Sequence, residues 1–312
     1  MNGPVALICV NYGSSHLLAD NFAPLAADQA VHGVVVDNLS SAEERARAQS
    51  LAEANGWRLL TPDGNLGFGQ AVNLAVAELR DDFNRFVVIN PDATMSLEAL
   101  ARLVEAASGA EPTLAAPKIQ RPDGSDWFTG SDLYLADGSI RASAKQSPGA
   151  EVRAWLTGAV LAFDLRTWDL VGGFDDDYFL YWEDVDLCWR LEDAGARLRV
   201  VGDAIAVHSE GGTQAHGGLS RSGQAKSAIY YYYNIRNRLL FGAKHLPRAR
   251  WRQWLRHTPR VSWQILLQGG RRQFLSRQAP IIPLVRGMVE GVRLGRRIRR
   301  AQSASGEGSG SS

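Results

Sequence analysis

Hydrophobic positions in the first 120 residues follow two rhythms. Val5–Val10 is an almost unbroken apolar run that stops at Asn11-Tyr12-Gly13, and His32–Asn38 repeats the pattern, ending on Asp37-Asn38. Trp57–Pro62, Arg85–Asp92 and Thr113–Ile119 give three further runs of strand length. Between them, helical spacing appears over Ser14–Ala27, Ser41–Asn55, Gly69–Leu79 and Ser96–Ala107. Ser41 and Glu44 stand in the spacing of a capping box, and Ser96 with Glu98 marks another helix start. Unbroken apolar strands alternating with helices predict an α/β domain, a mostly parallel sheet with helices on both faces. Ligands of such sheets bind at the carboxyl ends of the strands, where Asn11, Asp37, Asn38, Asn90 and Asp92 fall.

Residues 120–150 are rich in Gly, Ser and Asp and read as hairpins or a mobile excursion. Regular patterning returns at Val152–Asp164, then at Gly172–Arg190 and Ala196–Thr213. Ser222–His245 is a helix-like run dense in Tyr and Arg. Pro247–Gln268 and Pro283–Arg300 read as basic amphipathic helices, and Ser303–Ser312 as a disordered Ser/Gly tail. There are no internal repeats.

Composition narrows the class. A hydrophobic share of 45% and a charged share of 21% are those of an ordinary globular protein. Cys9 and Cys188 sit in apolar patterns and read as reduced core thiols, which favours a cytoplasmic setting. The apolar N-terminal run has no basic lead or small-residue cleavage site, so no signal peptide is expected. No apolar run reaches the roughly 18 residues of a spanning helix. Charge is unevenly spread: Lys244–Arg300 holds fifteen basic residues and one acid, whereas residues 1–243 hold 19 basic and 31 acidic ones. Such a basic segment suits nucleic acid, an anionic membrane surface or an acidic partner.

Four stretches carry candidate chemistry. In Arg85–Asp92 a strand ends at Asn90, and Pro91 turns the chain so that Asp92 could hold a divalent cation or merely cap a turn. Gly64, Gly67 and Gly69 precede a helix that would carry Asn73 toward the cleft; they suit a phosphate or close packing, but do not match a dinucleotide fingerprint. Gly172–Arg190 crowds six acids among six aromatics. It reads as a turn, Asp175–Asp177, then a helix with Glu183 and Asp184 in its first turn, Leu187 and Leu191 inward, and Gly195 at its end. Asp186, Glu192 and Asp193 read as a solvated face. Tyr178, Phe179, Tyr181 and Trp182 predict a water-poor wall beside a carboxylate, a setting that suits a general base. His208 ends a short strand with Glu210 beyond it, and alone reads more readily as structural than as a ligand.

In this order the stretches resemble the bacterial glycosyltransferases of family 2, which have the GT-A fold, and within them the rhamnosyltransferase-like members that build cell-wall and surface glycans. The resemblance covers residues 4–245 and rests on 11–15, 34–38, 65–73, 90–93, 155–164, 172–190 and His208. It implies a GT-A type nucleotide-diphospho-sugar transferase fold, a mostly parallel sheet flanked by helices with a C-terminal helical extension. The implied domains are a catalytic domain over 1–221, with a nucleotide-sugar half at 1–118 and an acceptor half at 119–221. A basic, membrane-associating extension at 222–302 and the tail at 303–312 follow.

The resemblance also implies roles. Asn11, Tyr12, Asp37, Asn38, Gly67, Asn73, Asn90 and Asp92 would bind the donor. Asn90 replaces the first acid of the family's D-x-D, leaving Asp92 as the main contact of a Mg2+ or Mn2+ ion, joined by His208. Asp184 matches the base, with Glu183 orienting it or touching acceptor; Trp155, Gly158, Tyr181 and Trp182 would meet the acceptor. The implied reaction is inverting transfer, with dTDP-L-rhamnose the first choice of donor, to a glycan or polyprenyl-diphosphate-linked hydroxyl at the inner face of the cell membrane. One base and one cation suffice for a single displacement. Arg236 and Arg238 read either as a solvated helix face or as contacts to a lipid phosphate. The competing readings are a sugar-nucleotide pyrophosphorylase, disfavoured because no basic residue follows Asn11-Tyr12-Gly13 closely, and a non-catalytic sugar-binding relative. No nucleic-acid partner is expected, since no recognised module accompanies the basic segment. Oligomeric state stays open.

Overall fold

The computed structural model describes residues 3–209, 227–270 and 281–307. Glu210, residues 222–226 of the Tyr-rich run and the expected domain boundary at 221/222 lie outside the described residues. The chain divides into two units: Met1–Asp132 with Ala142–Gln146 and Ala154–Ser220, and Leu133–Arg141 with Ser147–Arg153 and Arg221–Ser312.

The first unit opens with β1 (Val5–Asn11), then α1 (Ser15–Leu17), a π-helical turn (Leu18–Phe22) and α2 (Ala23–Ala26). It continues with β2 (Val31–Asp37), α3 (Ala42–Asn55), β3 (Arg58–Leu60), α4 (Phe68–Leu79), β4 (Arg85–Ile89), β5 (Ala93–Met95), α5 (Leu97–Ala107), β6 (Thr113–Gln120) and β7 (Asp126–Phe128). Three short strands follow, β8 (Ser131–Tyr134), β9 (Ile140–Ala142) and β10 (Val152–Trp155), and then β11 (Val160–Asp164), α6 (Leu165–Asp169), α7 (Glu183–Asp193) and β12 (Arg197–His208).

Each expected strand and helix of the first 120 residues is present. Ser41 caps α3 by accepting from the Glu44 N–H at 3.2 Å, and Ser96 caps α5 by accepting from the Ala99 N–H at 3.1 Å. The capping box at Ser41 closes only on that side, because the Glu44 carboxylate reaches away to the Ser15 N–H at 3.1 Å.

The large sheet has nine strands in the order β3-β2-β1-β4-β11-β6-β12-β5, with β7 on β6. Pairs β3/β2, β2/β1, β1/β4 and β6/β12 are parallel. Strand β11 departs from the expected pattern, running antiparallel to both β4 and β6. The chain enters it from the 120–150 excursion rather than from a crossover helix, which a parallel strand would need. Pro117 sits within β6, and the register with β12 shifts between Val201 and Ile205 beside it, as a residue without an N–H requires. The core beneath holds the fully buried Leu7, Ile8, Val87 and Val88 and a stack of Phe86, Phe163 and Trp168. Each large apolar side chain so buried stabilises the fold by about 1.5–3 kcal/mol. Cys9 and Cys188 are free and buried.

Strands β8, β9 and β10 form a small sheet in the order β10-β8-β9, its residues falling mostly in the second unit. That unit also holds α8 (Ala228–His245), α9 (Arg248–Leu267) and α10 (Ile281–Glu307). Gly287 and Gly291 let α10 lie against α8: a Cβ on them would come within 2.5 Å of the Tyr232 carbonyl and 3.0 Å of the Arg236 carbonyl. Helix α10 runs to Glu307, into the segment expected to be disordered; 308–312 lie outside the described residues. Arg238 corrects both expectations for it. It is 1% exposed, donates to the Asp137 carbonyl and to Thr258 Oγ1 at 3.1 Å, and packs over the Trp254 ring. Burial pulls its guanidinium down to about 9. Among the described residues no helix is long and apolar enough to cross a membrane.

Candidate active site

Three groups of residues come together in the first unit. The first lies at the ends of β1 and β2. Asn11 and Asp37 are fully buried, and Asn11 Nδ2 donates to Asp37 Oδ1 at 3.2 Å. Arg45 of α3, a residue the sequence did not single out, donates from Nε to Asp37 Oδ2 at 2.8 Å and from Nη2 to the Asp37 and Pro62 carbonyls. Both carboxylate oxygens of Asp37 are therefore engaged by protein. Asn38 ties this end to the next loop, donating to the Gly67 carbonyl at 2.7 Å and accepting from the Leu66 N–H at 3.1 Å. Tyr12, 49% exposed, presents its ring to solvent beside them.

Gly67 has a structural task. Its φ is +80°, and a Cβ there would lie 2.0 Å from the Phe179 carbonyl, which also accepts from the Phe68 N–H at 3.1 Å. Asn73 does not face an open cleft as expected. Its amide is spent on the loop before α7, donating to the Phe174 carbonyl at 2.8 Å and accepting from the Phe174 N–H at 2.9 Å.

The second group is Asp92 with His208. The turn after β4 is closed by the Ala93 N–H on the Asn90 carbonyl and held by Asn21 Nδ2, which donates to the Pro91 carbonyl at 2.8 Å. Asn21 lies in the π-helical turn, an irregularity common at functional sites. Pairing of β5 with β12 sets His208 opposite Ala93 and brings its Nε2 to 3.0 Å from Asp92 Oδ1. Both side chains are nearly buried; Trp127 packs on the imidazole at 4.7 Å, and Nδ1 is buried without a hydrogen bond. A carboxylate and an imidazole 3.0 Å apart fit adjacent ligands of one cation at about 2.1 Å each. No cluster of three or more such ligands occurs among the described residues.

The third group surrounds Asp184. Tyr181 and Trp182 both adopt left-handed backbone, with φ of +64° and +74°. Among the described residues the one other non-glycine with positive φ is Leu39, next to Asn38. Strain of about 1–3 kcal/mol per residue held at such places is a mark of function. Helix α7 starts at Glu183 immediately after this bend. Asp184 Oδ2 accepts from the Gly158 N–H at 2.9 Å, and Oδ1 from the Val185 N–H at 2.8 Å. The Trp155 indole N–H is buried close by without closing a hydrogen bond of ordinary geometry. Asp184 keeps a partly open side. Burial pushes its carboxyl up to about 6, against the pull of the Gly158 and Val185 N–H groups. Glu183 is 6% exposed; burial first, and then the Asp184 charge, hold it well above the usual carboxylate range.

Gly158, expected to meet the acceptor, is thus a support for Asp184. Trp182, expected on the acceptor wall, is 5% exposed and turned into the protein, whereas Tyr181 and Trp155 stay half-buried. Asp186 corrects the solvated-face expectation most sharply. It is fully buried and receives Arg190 Nε at 2.6 Å, while Arg190 also donates to the Val171 and Gly173 carbonyls. Glu192 and Asp193 do reach solvent. A cavity of about 580 Å3 lined by Ser15, His16, Ala46 and Arg47 contains none of the expected site residues.

Residues 7–151 match the model of Glycosyl transferase family 2. An N-acetylglucosaminyl-diphospho-decaprenol L-rhamnosyltransferase of Mycobacterium tuberculosis is 32% identical over 181 residues, 48% of this chain and 58% of that protein. The chain therefore spans somewhat over half the length of that relative. Rhamnosyltransferase WbbL of Escherichia coli is 27% identical over 222 residues, 65% of this chain and 83% of that one. The structure of mannosyltransferase PcManGT from Pyrobaculum calidifontis, in complex with GDP-Man and Mn2+, superposes with a TM-score of 0.56 at 13% identity, covering 95% of this chain and 87% of that one. That likeness gives the fold, a GT-A architecture. The fold is thus of GT-A type, and over residues 7–151 the sequence is similar to glycosyl transferase family 2, with rhamnosyltransferases among its relatives.

Proposed function

We propose that the chain is an inverting glycosyltransferase. It moves a sugar from a nucleotide-diphospho-sugar, with dTDP-L-rhamnose the first choice, to a hydroxyl of a glycan or polyprenyl-diphosphate-linked acceptor in surface-glycan synthesis. The observation that carries this reading is Asp184: a partly open carboxylate, oriented by two backbone N–H groups, in the same unit as the Asp92–His208 pair. Asp184 takes the proton of the acceptor hydroxyl as its oxygen bonds to the anomeric carbon. The bond from that carbon to the diphosphate breaks, its electron pair leaves with the diphosphate, and configuration inverts. Asp92 and His208 would hold a divalent cation, Mg2+ or Mn2+, which when bound neutralises charge on the leaving diphosphate. Tyr12, Asn11 and Asn38 border the nucleotide, and Tyr181 and Trp155 border the acceptor and keep water from the donor. The mycobacterial relative, named for a diphospho-decaprenol acceptor, supports the acceptor class.

A lipid-linked acceptor would place the protein at the inner membrane face. The basic second unit supports this, with Trp263, Leu267, Ile281, Ile282 and Val285 all exposed on its helices. Sedimentation with anionic vesicles checks it; equal binding after removal of 247–312 would refute it.

The test of the main reading is a thermal-shift screen of sugar nucleotides with and without Mn2+ or Mg2+, followed by turnover of the stabilising donor. Metal-dependent stabilisation and release of nucleoside diphosphate, lost in Asp184→Asn, are expected. Full turnover by that variant would overturn the assignment of the base.

A further inference from the structure

The two adjacent carboxyl groups at the start of α7 have opposite surroundings. Asp184 has two N–H donors and a partly open side, the environment of an ionised carboxylate. Glu183 is turned inward against α4. A Cβ added at Gly69 would stand 3.6 Å from Glu183 Cβ, an ordinary packing contact, and 2.8 Å from Phe174 Cβ, so the bare glycine makes room for Phe174 with Glu183 beside it. Glu183 Oε2 is fully buried and has no hydrogen-bond partner. The ionisable groups acting on it are Asp184 and, one turn along α7, Asp186, whose charge Arg190 matches. Among the described residues no cation pairs with Glu183. An ionised carboxylate offers about four lone-pair sites that need donors, whereas a neutral acid needs far less.

We propose that Glu183 is a neutral carboxylic acid in the working protein, and that it confines the negative charge at the start of α7 to Asp184. Glu183 is thus a positioning residue. It fills the space under the base with a polar but uncharged group, and leaves Asp184 as the single anion an acceptor hydroxyl meets. Two buried neighbouring carboxylates would compete for one proton, and their environments decide which keeps it. The protonation state stands apart from the glycosyltransferase reading; its catalytic consequence rests on Asp184 being the base.

Glu183→Gln reproduces the neutral acid in shape and charge, and is the variant of choice. An acid kept protonated by the fold stabilises most below its ordinary range, and that stability is lost as pH rises toward its folded-state value. Glu183→Gln lacks this loss, so its melting temperature is expected to climb relative to the unmodified protein between pH 5 and pH 8. A difference that stays flat, or turns against the variant with rising pH, would overturn the proposal. An independent measurement needs no variant to fold: in protein labelled with 13C-glutamate, the Glu183 carboxyl carbon is expected to keep the shift of a neutral acid at pH 7. The shift of a carboxylate would refute it. With the stabilising sugar nucleotide as donor, Glu183→Gln is expected to keep turnover within about tenfold, where Asp184→Asn loses about 10²–10⁴-fold. Collapse of turnover in Glu183→Gln with an unchanged melting curve would mean that Glu183 works ionised. If Asp184→Asn stayed active, the base assignment would fall while the melting and labelling results still decided the state of Glu183.

Discussion

Replacing Arg190 by Met keeps an apolar stem of similar length and removes the guanidinium. In the fold that group meets the fully buried Asp186 at 2.6 Å and donates to the Val171 and Gly173 carbonyls at 3.0 and 2.8 Å. Arg190 itself is 21% exposed, so its own desolvation is partial, whereas Asp186 at 0% has no route to water. Breaking a buried pair from one side leaves such a charge without its cation, at a cost of about 3–5 kcal/mol. The Val171 carbonyl adds about 1 kcal/mol or less, because Val171 is partly exposed and water can replace the guanidinium there, whereas Gly173 is buried and its carbonyl adds about 1–3 kcal/mol. Asp186→Asn removes the charge instead and leaves Arg190 its two carbonyls, so about 1–3 kcal/mol is expected. The double variant is expected to cost less than the sum of the two, by about 1–3 kcal/mol, since the orphaned anion is gone. Urea unfolding reads these as midpoint shifts at unchanged slope. A loss below about 1 kcal/mol in Arg190→Met would refute the reasoning, since it would mean that Asp186 reaches water, as its sequence context suggests.

Gly67→Ala puts a methyl 2.0 Å from the Phe179 carbonyl at a φ of +80°, so lowered thermal stability and weakened nucleotide binding by calorimetry are expected together. Turnover is expected to fall as pH drops through about 6, where Asp184 takes up the proton that blocks it as a base. Its folded-state value lies above the ordinary carboxylate one, so its contribution to stability is present at low pH and lost as pH rises through about 6; Asp184→Asn is therefore expected to melt at or above the unmodified protein at pH 8. His208→Ala leaves Asp92 as the remaining protein donor of its pair and is expected to raise the Mn2+ concentration needed for nucleotide binding by about tenfold or more, measured by metal titration.

The strand ends were legible because unbroken apolar runs both make buried parallel strands and stop where polar residues begin. Asn11, Asp37, Asn38 and Asp92 follow directly from that rule. Asp184 was legible because an acid beside aromatics contradicts ordinary burial preferences. The partners were not. Arg45 looks like any surface base of an amphipathic helix until β2 and α3 pack and set it on Asp37. Asp186 and Glu192 differ little in sequence context, yet one is buried by the loop that Arg190 holds and the other is not. Asn73 sits at a helical position that suits a cleft, and only the long-range approach of Phe174 shows where its amide goes. The antiparallel course of β11 depends on how the 120–150 excursion returns, which no local period encodes.

Two neighbouring residues, Gly158 and Ala159, tie Asp184 to the turn that carries Asp92. The Gly158 N–H holds Asp184, and the Ala159 carbonyl receives the Asn90 N–H at 2.9 Å, two residues before Asp92. The reach from Asp184 to the Asn90–Asp92 turn is therefore fixed by main chain, at the point where β11 enters the sheet. Such a gauge is blind to side-chain identity: exchanging Trp155, Tyr181 or Tyr12 can reshape the space for sugar and acceptor while the gauge holds its length. An insertion at 157–159 would do the reverse. On the proposed function, members of a lineage built this way can diverge in the sugars they accept without re-solving the geometry of transfer.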